Sequence, residues 1–444
     1  VAAPHPGTPA SASRPVVYIH VGAAKSGTTY LQNILFHNRE RLREAGFLYP
    51  GHDFAAHVRA AFDLRETFFP GASDPFFEGA WPRMVEEIRA FGGPAVISQE
   101  LFAPALRRHT ARALADLDFA EVHLVFTVRD LARQIPAHWQ EDIKNRFTVS
   151  FAQFMSAISR PDWRRSTVAG FFWTLQDPLD VLARWGENLP PERVHLVTLP
   201  RPGAPRDLLW KRFSRALGLP AGSCDLTVPF DNPSLGLPET QLLLRINRAI
   251  DQDALGWHFY NDEIKLHLAQ RVLTGRTGSP RIRLPEEDFG WVAERAAAMV
   301  DGLAASGWDV VGDLDELRPD RSVCGPPGTH PDDPDWAGVI DASGDAVGGV
   351  LRRLADVEAE LARTPDGEHA TPDLIDLVAA DAEALRQRID ALKEGTVPAV
   401  RRAVRQLSER HAVVARLREA YWQVQEERRQ ADAARADAGQ TSTR

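Results

Sequence analysis

Apolar and polar positions follow two rhythms along this chain. Short apolar runs occur at residues 16–21, 95–98, 122–128 and 194–199, and each is followed by a segment with helical character. Strands covered by helices on both faces read as near-continuous apolar runs, so this succession predicts a parallel sheet inside an α/β domain. Residues 28–44 predict a first helix with Leu31, Leu35 and Leu42 on one face, and residues 131–144 predict another directly after its strand. From about residue 232 to 307 the pattern is helical, interrupted by a basic loop at 274–283.

Residues 319–345 then turn rich in Pro, Gly and Asp, the composition of a linker or exposed loop, and a domain boundary is expected there. Beyond it three apolar stripes recur at helical spacing: Leu351, Leu354, Val357 and Leu361; Leu374, Val378, Leu385 and Leu392; Val400, Val404, Leu407, Val414, Leu417 and Tyr421. Breaks at Thr364-Pro-Asp-Gly and Gly395-Thr-Val-Pro favour a helical hairpin, a coiled-coil-like pair or a small bundle over one long rod. The pattern leaves open whether this tail binds a partner, associates with itself or caps the core. The expected organisation is therefore an unstructured start (1–14), an α/β domain (15–318), a linker (319–345) and a helical C-terminal region (346–444).

At 444 residues with 44% hydrophobic content, the chain can bury a sizeable core and carry an appendage. A formal charge of -9 argues against a nucleic-acid-coating protein, so any basic site must be focal. Cys224 and Cys324 neither build a disulfide framework nor show metal-ligand spacing, which fits a reducing compartment and a site without metal. Residues 1–14 lack the basic start and apolar run of a secretory signal, and no later segment has the roughly 18 uninterrupted apolar residues of a membrane span. A cytoplasmic protein without an integral membrane segment is expected. The preference for Arg over Lys, with abundant Ala, suggests a GC-rich bacterial genome.

Candidate chemistry begins at the first strand. Val21-Gly-Ala-Ala-Lys-Ser-Gly-Thr-Thr-Tyr30 is a small-residue loop with one lysine, opening a helix. Gly22 and Gly27 have the spacing of a Walker A loop, but Thr28 stands where the Walker lysine belongs and the cation sits further back at Lys25. Lys25, the hydroxyls of Ser26, Thr28 and Thr29, and the backbone N–H groups at the helix N-terminus would together form an anion site. Only five of the 52 basic residues are lysines, so a lysine in this loop is not compositional habit.

The order Lys25-Ser26-Gly27-Thr28-Thr29 followed by the aromatic Tyr30 resembles the 5′-phosphosulfate loop of sulfotransferases that use 3′-phosphoadenosine 5′-phosphosulfate (PAPS). The resemblance spans roughly residues 15–310 and implies a three-layer P-loop-like domain and sulfuryl transfer from PAPS, with no metal required. In that family an arginine at a strand end and a serine eight residues later bind the 3′-phosphate. Arg129 matches the arginine, whereas Ala137 occupies the serine position and departs from the pattern, with Gln134 or His138 as candidates to compensate. The resemblance further implies that Tyr30 stacks on adenine and that a late basic loop, with Arg276 as its contributor, closes over the 3′-phosphate.

Sulfuryl transfer to a hydroxyl needs a base, charge stabilisation on the leaving phosphate and in-line positioning. Lys25 is the candidate for the leaving oxygen, being a compact point charge on a mobile stem. Glu100, at the end of the run 95–98, is the candidate base; several carbohydrate-directed members of the family use a glutamate. The competing reading makes Glu100 an acid that merely favours a following helix dipole. His20 reads as a satisfied sheet histidine rather than a catalytic one. Trp139, Trp163, Trp173 and His138 are candidates to line an acceptor pocket. The acceptor class leans toward a glycan or glycolipid hydroxyl, with a small-molecule alcohol open. The alternatives are a P-loop kinase or NTPase, and a non-catalytic nucleotide fold that presents the helical tail.

Overall fold

The computed structural model describes residues 14–67, 77–220, 222–227, 234–250 and 255–362. The chain divides into two units, Val1–Gly349 and Val350–Arg444, and the sheet belongs to the first.

That sheet is five-stranded and wholly parallel, in the order β2-β1-β3-β4-β5. The strands are β1 (Val16–His20), β2 (Ala95–Ser98), β3 (Glu121–Val128), β4 (Val194–Thr198) and β5 (Asp309–Val311). The first four coincide with the apolar runs. β5 is three residues long and exposed at its start, too short to leave a periodic signal.

Alternation along the strands sorts side chains onto two faces. Val17, Ile19, Val122, Leu124, Phe126 and Leu196 enter the larger core. Val96, Val125 and Val197 enter a second one, against Leu31, Ile34 and Leu35 of helix α1 (Thr28–His37) and Leu209, Trp210 and Phe213 of the helix Leu208–Ala216. Both faces are thus covered, and the domain is three-layered and α/β.

The expected first helix of residues 28–44 is interrupted at Asn38. Its amide donates to the carbonyls of Ile34 and Asp225 and its carbonyl oxygen accepts from the Asp225 N–H, so a short helix, Arg39–Glu44, starts afresh beyond it. The helix Leu131–Lys144, directly after β3, has its expected bounds, with Asp130 capping it through the Arg133 N–H. Residues 232–307 yield the helices Leu237–Ala249 and Phe289–Ala305 and, between them, a wide π-type helix, Tyr260–Val272.

The Pro/Gly/Asp-rich stretch expected as a linker is bound to the domain. Leu284 bridges to Cys324, Gln241 donates to the Pro331 carbonyl, and the Asp332 carboxylate accepts from the Phe151 and Ala152 N–H groups. The helix Trp336–Ala362 follows, and its residues to Gly349 belong to the same unit. Leu351, Leu354 and Val357 fall in that helix, while the two later stripes and the hairpin expected from them lie outside the described residues. No helix among the described residues is long and apolar enough to cross a membrane. Both cysteines are free and buried.

Candidate active site

In the order 2-1-3-4-5 the connections from β1 and β3 run to opposite sides, and the resulting crevice beyond the carboxyl ends of β1 and β3 is where open α/β sheets hold ligands. The Gly22–Gly27 loop and Arg129 both lie at that crevice. Two backbone bonds stitch the loop to β3: Ala23 donates to the Thr127 carbonyl (2.6 Å) and Thr127 donates to that of Gly22 (2.5 Å). Gly27 precedes α1 at φ 85°, a left-handed conformation that favours glycine, and a Cβ there would meet Leu209 at 2.5 Å. No side chain caps α1, and the N–H groups of Thr28 and Thr29 reach no acceptor among the described residues. They form a ready anion site.

Ser26, expected among the anion ligands through its hydroxyl, is a correction. Its side chain is wholly buried and bonds the Ala23 carbonyl (2.6 Å), the Thr127 carbonyl (3.0 Å) and the Thr127 hydroxyl (2.6 Å), so it fastens the loop from below. His20 joins the same brace as a satisfied sheet histidine, with Nδ1 at 2.8 Å from Ser98 Oγ and Nε2 at 3.2 Å from Thr127 Oγ1. Burial pushes its pKa down to about 3, so the ring is neutral.

Lys25 takes a left-handed backbone conformation (φ 64°) and sends its ammonium to Glu141 on the Leu131–Lys144 helix, 3.1 Å away. The same carboxylate receives Lys144 at 2.6 Å and Lys265, from the wide helix, at 3.6 Å. Burial alone would raise the Glu141 pKa; the three ammoniums, with a hydrogen bond from Lys144, instead hold it well below the usual carboxylate range. Lys144 is nearly buried, and its own pKa is lowered by that burial against the pull of Glu141.

Arg129 is part-buried. Its Nη1 donates to the Lys25 carbonyl at 3.3 Å, while its Nε is wholly buried without a partner. No acid pairs with it among the described residues, because Asp130, the neighbour that could have done so, is taken by Arg133. Burial, then the Arg133 charge, lowers its pKa to about 10, a sign that its charge is poorly compensated.

Gln134 and His138 are not free to stand in for the absent serine at Ala137. The Gln134 amide donates to the Ala24 carbonyl and to Gln176 Oε1. Gln176 Nε2 in turn faces Ala24 O (3.1 Å) and His138 Nδ1 (3.0 Å), and the far ring nitrogen of His138 lies 3.3 Å from buried Asp142. These residues position the loop from behind.

Glu100 follows β2 and opens a single 3₁₀ turn, Glu100–Phe102, rather than a longer helix, which removes most of the dipole-based reading. Its Oε2 accepts from Gln32 of α1 at 2.9 Å, and its Cβ would lie 3.3 Å from a Cβ placed on Gly22. The structure therefore brings together Lys25, Gly27, Thr28, Thr29, Arg129 and Glu100. Tyr30 is half-buried, packing beside the second core.

Arg276 is not joined to them by any contact among the described residues. Its guanidinium pairs with Glu239 at 2.7 Å and with Asp345, ties that outweigh its desolvation and raise its pKa, so the expectation of a 3′-phosphate ligand is corrected to an internal clamp. The acceptor-pocket reading is corrected likewise for two tryptophans: Trp139 and Trp173 are fully buried, donating to the Val149 and Ile158 carbonyls. Sequence reasoning missed Glu141, Lys144 and Lys265. The signal was present in the scarcity of lysine, since three of the five in the chain meet at one carboxylate.

No family model and no curated protein matches the chain. Among solved structures, the crystal structure of a sulfotransferase from Alicyclobacillus acidocaldarius is similar at 17% identity and a TM-score of 0.33, over 60% of this chain and all of that one. A likeness so loose carries no argument about what this chain does.

Proposed function

We propose that this chain is a sulfotransferase that uses PAPS as donor and an acceptor hydroxyl, preferentially of a carbohydrate or glycolipid, as nucleophile. The observation that carries the reading is Arg129: a guanidinium with a buried, unpartnered Nε and no carboxylate, held beside a lysine-bearing loop at an uncapped helix N-terminus. Buried cationic groups without a counter-charge are costly unless an anion completes them. Two anion-seeking positions at one crevice fit a nucleotide with phosphates at both its 5′ and 3′ ends. The displaced lysine favours the phosphosulfate loop over a Walker loop, whose lysine directly precedes the hydroxyl residue.

When bound, the donor supplies the transferable sulfuryl group and a bisphosphate leaving group. The residues present fit it at the 5′ end, where Lys25 and the Thr28 and Thr29 N–H groups would hold the phosphosulfate, and at the 3′ end through Arg129. Lys25 sits on a long, rotatable stem, and its ammonium would leave Glu141 for the phosphosulfate. There it would neutralise charge gathering on the departing phosphate oxygen. Glu100 would receive the acceptor hydroxyl proton, with Gln32 fixing its carboxylate.

Calorimetry tests the reading. The purified chain should bind adenosine 3′,5′-bisphosphate without magnesium and more tightly than ATP. Magnesium-dependent ATP binding in preference to the bisphosphate would instead make it a P-loop kinase or NTPase.

A further inference from the structure

The three lysines that meet at Glu141 exceed what one carboxylate can neutralise. Among these four side chains there are three positive charges and one negative. Lys144 and Lys265 have no place in holding the donor, yet both converge on the group that Lys25 touches. The chain otherwise favours arginine heavily, with five lysines among 52 basic residues, and three of those five lie here. Lysine is a compact charge with three rotatable donors, suited to an anion that approaches from a variable direction.

The elements carrying the cluster are well fixed. Asn145 Oδ1 accepts from Lys265 at 2.7 Å, and the Tyr260 hydroxyl of the wide helix bonds Asn247 Oδ1 at 2.8 Å. Solvent reaches the cluster: the side chains of Lys25, Lys265 and Glu141 retain 22%, 19% and 26% exposure, against 6% for Lys144. Buried Asp142, the next acid on the helix, is turned to His138 rather than to the lysines. The result is a partly exposed cluster with an excess of ammoniums beside the loop lysine, with Glu141 gathering them.

Resting on the sulfotransferase reading, we infer that Lys144 and Lys265, which stay at Glu141 when Lys25 turns to the donor, form a subsite for an anionic group carried by the acceptor, a carboxylate or sulfate ester near the hydroxyl that reacts. The acceptor class is thereby narrowed from alcohols in general to acidic ones, acidic sugars foremost. Glu141 is a positioning residue that competes with that anion for the same ammoniums.

The test uses the full chain saturated with adenosine 3′,5′-bisphosphate, which fills the helix N-terminus, and titrates D-glucuronate against its neutral twin D-glucose by calorimetry. Glucuronate should bind at least tenfold more tightly than glucose. Lys265→Gln should erase the difference and leave bisphosphate affinity within twofold, and Glu141→Gln, which removes the competing carboxylate, should widen it severalfold; melting curves confirm that each variant folds. Equal binding of the two sugars, or none, with bisphosphate still bound, would overturn the subsite while leaving the sulfotransferase reading intact. Glucuronate binding that responds to both substitutions in a chain that ignores the bisphosphate would reverse that outcome, keeping the subsite and sinking the donor.

Discussion

The two edges of the sheet are built from similar residues to opposite ends. At the amino edge, Glu121, His123, His195 and Asp309 form a string across β3, β4 and β5. Glu121 Oε1 lies 3.0 Å from His123, the two imidazoles 2.8 Å apart, and His195 2.7 Å from Asp309, with Arg193 closing on Glu121 at 2.7 Å. Each charged group there meets an opposite charge or a ring nitrogen. At the carboxyl edge, Arg129 keeps a buried Nε with no acceptor, α1 has no cap, and three ammoniums share one carboxylate. Interiors are built to satisfy buried polar groups, and the open network at the carboxyl edge is where the proposed donor would be held.

The largest effects should come from the open edge. Glu100→Gln should lower turnover by about 10²–10⁴ while leaving bisphosphate affinity within twofold, as the loss of a general base does. Unchanged turnover would remove Glu100 from the mechanism. Lys25→Ala should cost about 10²–10³ in turnover, the magnitude of losing one donor to developing charge, with little change in melting temperature because the side chain is partly exposed.

The two arginines that residue type alone assigns to one task should separate cleanly. Arg276→Gln leaves Glu239, a fully buried carboxylate, without its counter-ion and should destabilise the domain by about 3 kcal/mol, read by chemical denaturation, with bisphosphate affinity unaltered. Arg129→Gln should do the reverse: a loss of about 1.5–3 kcal/mol in bisphosphate binding by calorimetry and no loss of stability. Equal effects of the two on binding would erase the distinction between them.

Acid should loosen the carboxyl edge gradually. His20 and His57 are joined through Ser98, whose hydroxyl meets His20 and whose N–H donates to His57, and burial lowers their pKa values to about 3 and about 4. Both values lie below that of an unfolded histidine, so below about pH 6.5 the unfolded chain takes up protons that the folded one refuses. Stability from these rings is complete above about pH 6.5 and falls by about 1.4 kcal/mol per ring and per pH unit toward those lower values. Denaturation midpoints across the range from neutral to mildly acidic pH would read this, and His20→Gln should flatten part of the slope.

Most of the frame is legible in the sequence because buried parallel strands announce themselves as apolar runs and a phosphate loop by its small residues. What escapes depends on meetings between distant segments. Lys265 lies far along the chain from Glu141, on a helix wound too wide for the ordinary 3.6-residue rhythm, so periodicity cannot aim it. Ser26 reads by residue type as an anion ligand, yet its position under the loop turns its hydroxyl inward. Arg276 reads by its basic neighbours, while its partners Glu239 and Asp345 come from helices on either side of that loop in sequence. Residue chemistry names what a group can do, and only packing decides which task it is given.

Asp332 sets a limit on how this protein can be shortened. Its carboxylate stands at the head of the Phe151–Ile158 helix, and that helix supplies Phe151 and Phe154 to the core. A chain trimmed just past β5, where the sheet is already complete, would lose an anion that the first turn of a distant helix needs. Truncations aimed at a minimal folded unit should therefore keep the Pro-rich stretch, however dispensable its composition makes it look.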